Sequence, residues 1–270
     1  MFRPSFLLIG IALGLLVGCE PSLKPSVPRR NVLAIVIDAS SSARLVEGQT
    51  IADLRCQETV AVVEQALHEP GLRRLDVLVL ATGGTGTSNE GRVIIPWRSF
   101  APTSRLFGKN RSRATQQREF LQSLEAACRT ALKSENTSPI FFAIERAATS
   151  LTEQTHQRSP GDDVTVSRSL IVLSDLRENV HRGIKAYLIA VSSSLRRGTT
   201  IPSRPSGVPQ LMLNGIATRI CGLSEHAGGN ADDLAIVPEA VTVAWKSILP
   251  DASFNASCRR PAAPSVGGAP

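Results

Sequence analysis

Asn31-Val32-Leu33-Ala34-Ile35-Val36-Ile37-Asp38-Ala39-Ser40-Ser41-Ser42 is the stretch whose reading decides the fold. Its apolar run has the length and composition of a strand buried on both faces, and the polarity changes abruptly at Asp38. An acid followed two residues later by Ser40 and four residues later by Ser42 is a set of hard oxygen donors suited to a divalent cation. The same five residues, taken alone, also suit an Asp/Ser cap and turn ahead of a helix.

Working outward, apolar runs alternate with amphipathic segments. Thr50 with Asp53 three residues on resembles a capping box and predicts a helix to about Glu69, with Leu54, Val60, Val63 and Leu67 on one face. Leu75 to Thr82 reads as a second strand, turned by Gly83 to Gly91 into a hairpin partner at Arg92 to Trp97. Helices are predicted from about Thr115 to Leu132 and from Ser138-Pro139 to Leu151, the second with Ser as cap and Pro as first residue. Gln154 to Ser167 reads as a surface loop and Ser169 to Leu173 as a short strand ending in Ser174-Asp175. Another helix over Val180 to Leu195, a long loop over Arg196 to Pro209, a last strand over Gln210 to Ile220 and a helix from Pro238 through Trp245, a core residue, complete the pattern. Alternation of this kind predicts a three-layer, doubly wound α/β fold with a mainly parallel sheet and one antiparallel edge strand. In such sheets ligands sit beyond the carboxyl ends of the strands, where both Asp38 and Asp175 fall.

At 270 residues, with 42% hydrophobic and 20% charged, the chain is globular in composition and long enough for one sizeable core. Met1-Phe2-Arg3 and the apolar run Phe6 to Val17 read as a secretory signal too short for a comfortable membrane span. The run ends in Leu16-Val17-Gly18-Cys19, which resembles the lipobox of bacterial lipoproteins. That resemblance implies lipidation of Cys19 and firm membrane attachment, with Glu20 rather than Asp at the second position favouring the outer membrane. The alternative is a simple secretion signal cut nearby. The expected division is a signal at 1–18, a Pro-rich tether at 19–30, one domain at 31–250 and a flexible tail at 251–270.

Four cysteines remain. Sequence locality pairs Cys56 with Cys128 and Cys221 with Cys258 as disulfides in an oxidising compartment, while Cys56 and Cys128 could equally be buried free thiols. Removal of Arg3 with the signal takes the net charge from +7 to +6, spread as arginine pairs such as Arg29-Arg30, Arg73-Arg74 and Arg196-Arg197. Without stacking aromatics these point to a solvated surface, or to anionic lipid heads, and away from nucleic acid.

The order of these features resembles the von Willebrand factor A domain, whose metal-ion-dependent adhesion site carries an Asp-x-Ser-x-Ser signature after the first strand. Asp38, Ser40 and Ser42 match that signature, Thr137 in Asn136-Thr137-Ser138-Pro139 matches the family's threonine, and Asp175 matches its second aspartate. Ser138 is an alternative to Thr137 as donor. Leu176 stands where the family often has Gly, and an inserted polar region at Ser99 to Gln117 lengthens the spacing from Ser42. The resemblance spans roughly Asn31 to Pro250. It implies Mg2+ (or Mn2+) held by hydroxyls and at most two carboxylates, with an open position for a carboxylate from a partner protein.

Other chemistries are weaker. Gly83-Gly84-Thr85-Gly86 lacks the lysine and helix of a phosphate loop, no GxSxG elbow occurs, and His68, His156, His181 and His226 have no metal-ligand spacing. Asn136 and Asn255 open glycosylation sequons. The expected function is that of a membrane-anchored envelope lipoprotein, not an enzyme, that recognises another protein through a bound cation. The alternatives are a structural lipoprotein of an envelope or secretion assembly with a metal-free domain of the same fold, or a phosphate-ester hydrolase acting through Asp38, where Ser40 replaces the second Asp that the haloacid-dehalogenase signature needs.

Overall fold

The computed structural model describes residues 28–38, 48–82, 91–101, 112–132, 137–156, 164–177, 180–222, 236–255 and 258. Outside them lie Cys19 with its signal and most of the tether, Ser40, Ser42, Gly83 to Glu90 of the turn, Asn136, His226 and the tail from Arg259. The elements are β1 (Arg29–Ile37), α1 (Ile51–Leu67), β2 (Leu72–Ala81), β3 (Arg92–Phe100), α2 (Arg113–Ala131), α3 (Ile140–His156), β4 (Thr165–Leu173), α4 (Arg182–Arg197), β5 (Ala217–Cys221), α5 (Pro238–Ile248) and β6 (Ser253–Asn255). The sheet runs β3-β2-β1-β4-β5-β6. β3 pairs antiparallel at one edge and every other pairing is parallel. This is the doubly wound α/β architecture expected from the sequence.

β1 lies at the centre and divides the core by alternation. Val32, Ala34 and Val36 face a layer built on α3, α4 and α5, while Leu33, Ile35 and Ile37 face one built on α1 and α2. Burial on both faces is why the strand's sequence is a continuous apolar run rather than an alternating one. The predicted capping box is present: the Thr50 hydroxyl accepts from the Asp53 amide while the Asp53 carboxylate accepts from the Thr50 amide. Both expected disulfides form, Cys56–Cys128 between α1 and α2, and Cys221–Cys258 from the end of β5. Trp245 is fully buried, as expected.

Three expectations need correction. Gln154 to Ser167 is not all loop, because α3 continues to His156 and β4 begins at Thr165. The early part of β4 alternates exposed and half-buried positions, so its polar residues hid a strand that lengthens to pair with all of β1. The stretch from Gln210 is not strand until Ala217, since a turn with Gly215 at φ +70° interrupts it. The sheet also gains β6, which pairs with β5 beyond the expected boundary at Pro250.

Candidate functional site

The register of the sheet builds the site. Ile37 pairs with Ala81 on one side and Leu173 on the other, so the next residue of each strand, Thr82, Asp38 and Ser174, forms a row at the carboxyl edge. The row is held by backbone bonds from the Thr82 amide to the Ile37 carbonyl (2.7 Å) and from the Asp38 amide to the Leu173 carbonyl (2.8 Å). Asp38 is 2% exposed, and among the described residues its carboxylate accepts three hydroxyl hydrogen bonds. Thr82 Oγ1 (3.1 Å) and Ser138 Oγ (2.9 Å) donate to Oδ1, and Ser174 Oγ (2.8 Å) donates to Oδ2. A buried carboxylate needs such donors, since burial without compensation would force it to neutralise.

Of the residues predicted for the site, Asp38 and Asp175 lie just past the carboxyl ends of the neighbouring strands β1 and β4. Ser138, the alternative to Thr137, makes the contact with Asp38; Thr137 itself is exposed. The expected N-cap hydroxyl of α3 is therefore directed at the carboxylate. Thr82 and Ser174 were missed. A polar residue directly after an apolar strand is the signal that marks both, once the strands are known to be neighbours.

Asp175 is also buried. Its Oδ1 accepts from the Arg177 amide (3.1 Å), and its Oδ2 lies 3.7 Å from Arg177 Nε. Between them Leu176 takes φ +60°, the left-handed conformation that favours glycine. The departure from the family's Gly is thus a leucine forced into a glycine-like backbone. Its side chain is fully buried in the α3, α4 and α5 layer, and Trp245 Nε1 donates to its carbonyl (2.9 Å), so packing and this bond offset the strain. Leu176→Ala should lower the unfolding free energy by about 2 to 3 kcal/mol, measured by chemical denaturation, because the strained φ remains while the buried side chain is lost.

Donor chemistry fits a hard dication: Asp38, Asp175, Ser138 and Thr137 offer only carboxylate and hydroxyl oxygens. Two cationic side chains approach the same edge. Arg177 faces Asp175, and Arg55, 2% exposed and paired with Glu58 at 2.8 Å, donates through Nε to the Asp38 carbonyl (3.2 Å). Two histidines have structural roles. His181 Nδ1 accepts from the Ile184 amide (3.2 Å) as the N-cap of α4, and His68 Nδ1 lies 2.7 Å from the Glu64 carbonyl.

No family model and no curated protein matches this chain. Solved structures similar to it include an aerotolerance-related membrane protein from Bacteroides fragilis, at 12% identity over 84% of this chain and 90% of that one, with a TM-score of 0.34. BatB from Bacteroides thetaiotaomicron is similar at 11% identity over 86% and 91%, TM-score 0.36. Manganese-loaded TRAP from Plasmodium vivax is similar at 10% identity over 77% and 63%, TM-score 0.33. Likenesses this distant say nothing of ligand or partner, and the fold stands on the chain's own strand order.

Proposed function

We propose that this chain is a lipoprotein of the bacterial cell envelope, anchored through Cys19 in the outer membrane and facing the periplasm, whose von Willebrand A-like domain binds Mg2+ or Mn2+. Through that ion it recognises an acidic side chain on another protein, and it is not an enzyme. The observation that supports this is the Ser138 hydroxyl brought to Asp38 across a sequence separation of 100, at the strand edge past which Asp175 also lies. Asp38, Ser138 or Thr137, and Asp175 would hold the cation, together with Ser40 and Ser42 of the matching loop. The ion would supply an electrophilic centre with a position for a carboxylate.

Arg177 favours a second reading. A guanidinium beside Asp175 supplies positive charge where the dication would, which suits a domain of the same fold that works without metal in an envelope or secretion assembly. Thermal melting separates the two. With free metal at about a hundredfold over Kd, a specific site adds about 2.7 kcal/mol, which for a domain of this size raises Tm by roughly 5 to 10 °C. Identical melting curves with Mg2+, Mn2+ and chelator would favour the metal-free domain.

A further inference from the structure

The 46 residues between Glu178 and Glu225 contain no acid and six basic side chains, Arg182, Lys185, Arg196, Arg197, Arg204 and Arg219. Among the described residues, the large hydrophobic side chains that are exposed all fall in the same segment: Ile189 at 36%, Ile201 at 41% and Met212 at 58%. Most of this charge and all of this apolar exposure lie on α4 and the connection that follows it.

α4 buries Ile184, Tyr187, Leu188 and Val191 against the core and turns the opposite stripe outward. Arg182, Ile189 and Arg196 recur every seven residues, close to two turns, so they line one side of the helix, with Ala186, Ala190 and Arg197 also exposed on it. Gly198 at φ +63° ends the helix, and the connection then doubles back along it. Tyr187 Oη donates to the Pro202 carbonyl (3.4 Å), and the Gly207 carbonyl lies 3.5 Å from where a Cβ on Gly183 would stand. Helix and return strap therefore lie side by side, and the helix's outward stripe sets the aliphatic tip of Ile189 between Arg182 and Arg196.

We propose that this face docks on an anionic lipid bilayer. A basic helix face interrupted by aliphatic residues is suited to the headgroup region, where the cations meet phosphates and the aliphatic tips reach the acyl boundary. Chain direction favours lipid over an acidic protein. In the β4-α4-β5 crossover the helix runs antiparallel to the strands, so Arg196 and Arg197 lie toward the edge where β1 begins and where the Pro28 carbonyl accepts from the Thr165 amide (3.1 Å). The segment leading to Cys19 enters at that edge. If Cys19 carries lipid, as proposed above, the nine residues Glu20 to Pro28 span at most about 30 Å, so the domain is held within reach of the surface.

The test uses the full chain with Cys19→Ser, so that its outcome does not depend on lipidation and metal plays no part. Sedimentation is measured with vesicles of phosphatidylcholine alone and of an equimolar mixture with phosphatidylglycerol. The segment Met1 to Val17 is common to every variant, so the change between variants in the preference for anionic vesicles reports the charged face. Binding to the anionic vesicles should be stronger, and Arg196→Gln with Arg197→Gln should weaken it about 30-fold, near fivefold per charge. Ile189→Gln should weaken it further, whereas Arg73→Gln with Arg118→Gln, on other exposed surfaces, should not. Equal binding to the two vesicle types, or a difference undiminished by loss of Arg196 and Arg197, overturns the proposal. An anionic preference indifferent to Ile189→Gln also overturns it, since charge without aliphatic contact would fit an acidic polypeptide as well.

Discussion

Replacing both Cys56 and Cys128 by alanine should lower the unfolding free energy by about 4 kcal/mol, read as a reduced denaturation midpoint under non-reducing conditions. The bridge joins α1 to α2 across a sequence separation of 72, so it removes a large closed loop's worth of freedom from the unfolded chain. Both sulfurs are fully buried in the layer that covers the Leu33, Ile35 and Ile37 face, so truncation also loses packing there. Polar contacts in the same layer are weaker substitutes. Arg129 of α2 pairs with Asp53 of α1 and with Glu125, but these side chains are a quarter to two-fifths exposed, and exposed ion pairs contribute little. The Cys221–Cys258 bridge closes a separation of only 37, and its removal should cost about half a kcal/mol less on loop length alone. A loss below about 1 kcal/mol for the Cys56/Cys128 variant would mean that the helix layer holds itself without the covalent link.

The central elements were legible because their physics is local. β1 carries the apolar run Val32 to Ile37 and β2 the run Val77 to Ala81, and α1 begins at a capping box whose two side chains satisfy each other. The errors have a different source. Thr165 to Arg168 is polar because that part of β4 is partly solvated, so no hydrophobic run announces it although β1 supplies the hydrogen bonds. β6 is three residues long, and its pairing with β5 decides its state more than its own propensity does. The site divides in the same way. Asp38 and Asp175 stand out because acids rarely end buried strands, whereas Thr82 and Ser174 become significant only through the register that places them on either side of Asp38. The choice between Thr137 and Ser138 depends on which of two adjacent hydroxyls the backbone leading into α3 turns inward, and Ser138 is buried while Thr137 is exposed.

Asp38→Ala should reduce stability by about 4 kcal/mol even in the absence of metal, because it leaves three inward hydroxyls without their common acceptor. Hydrogen bonds to a charged group contribute about 1.5 to 3 kcal/mol each, and relief from burying the carboxylate offsets part of their loss. The hydroxyls are not equally able to adapt. Ser174 Oγ already accepts from the Leu176 amide (2.8 Å), which ties the row to the strained residue beside Asp175. Thr82 follows β2 and Ser138 precedes α3, and both donate to Oδ1. Loss of that oxygen should therefore loosen α3's start from the sheet edge, detectable as faster amide exchange near Ile140. Asp38→Asn distinguishes framework from cation binding. Its retained oxygen keeps the two bonds at Oδ1, and the Ser174 hydroxyl can rotate to accept from the new amide, so the metal-free loss should stay near 1 kcal/mol. The negative charge is gone, however, and with it the attraction for a dication. The metal-dependent rise in Tm should accordingly vanish in Asp38→Asn while the fold persists. A variant that keeps both its stability and its full response to Mg2+ would place the cation elsewhere, and would leave Asp38 as the hydrogen-bonded hub of the sheet edge.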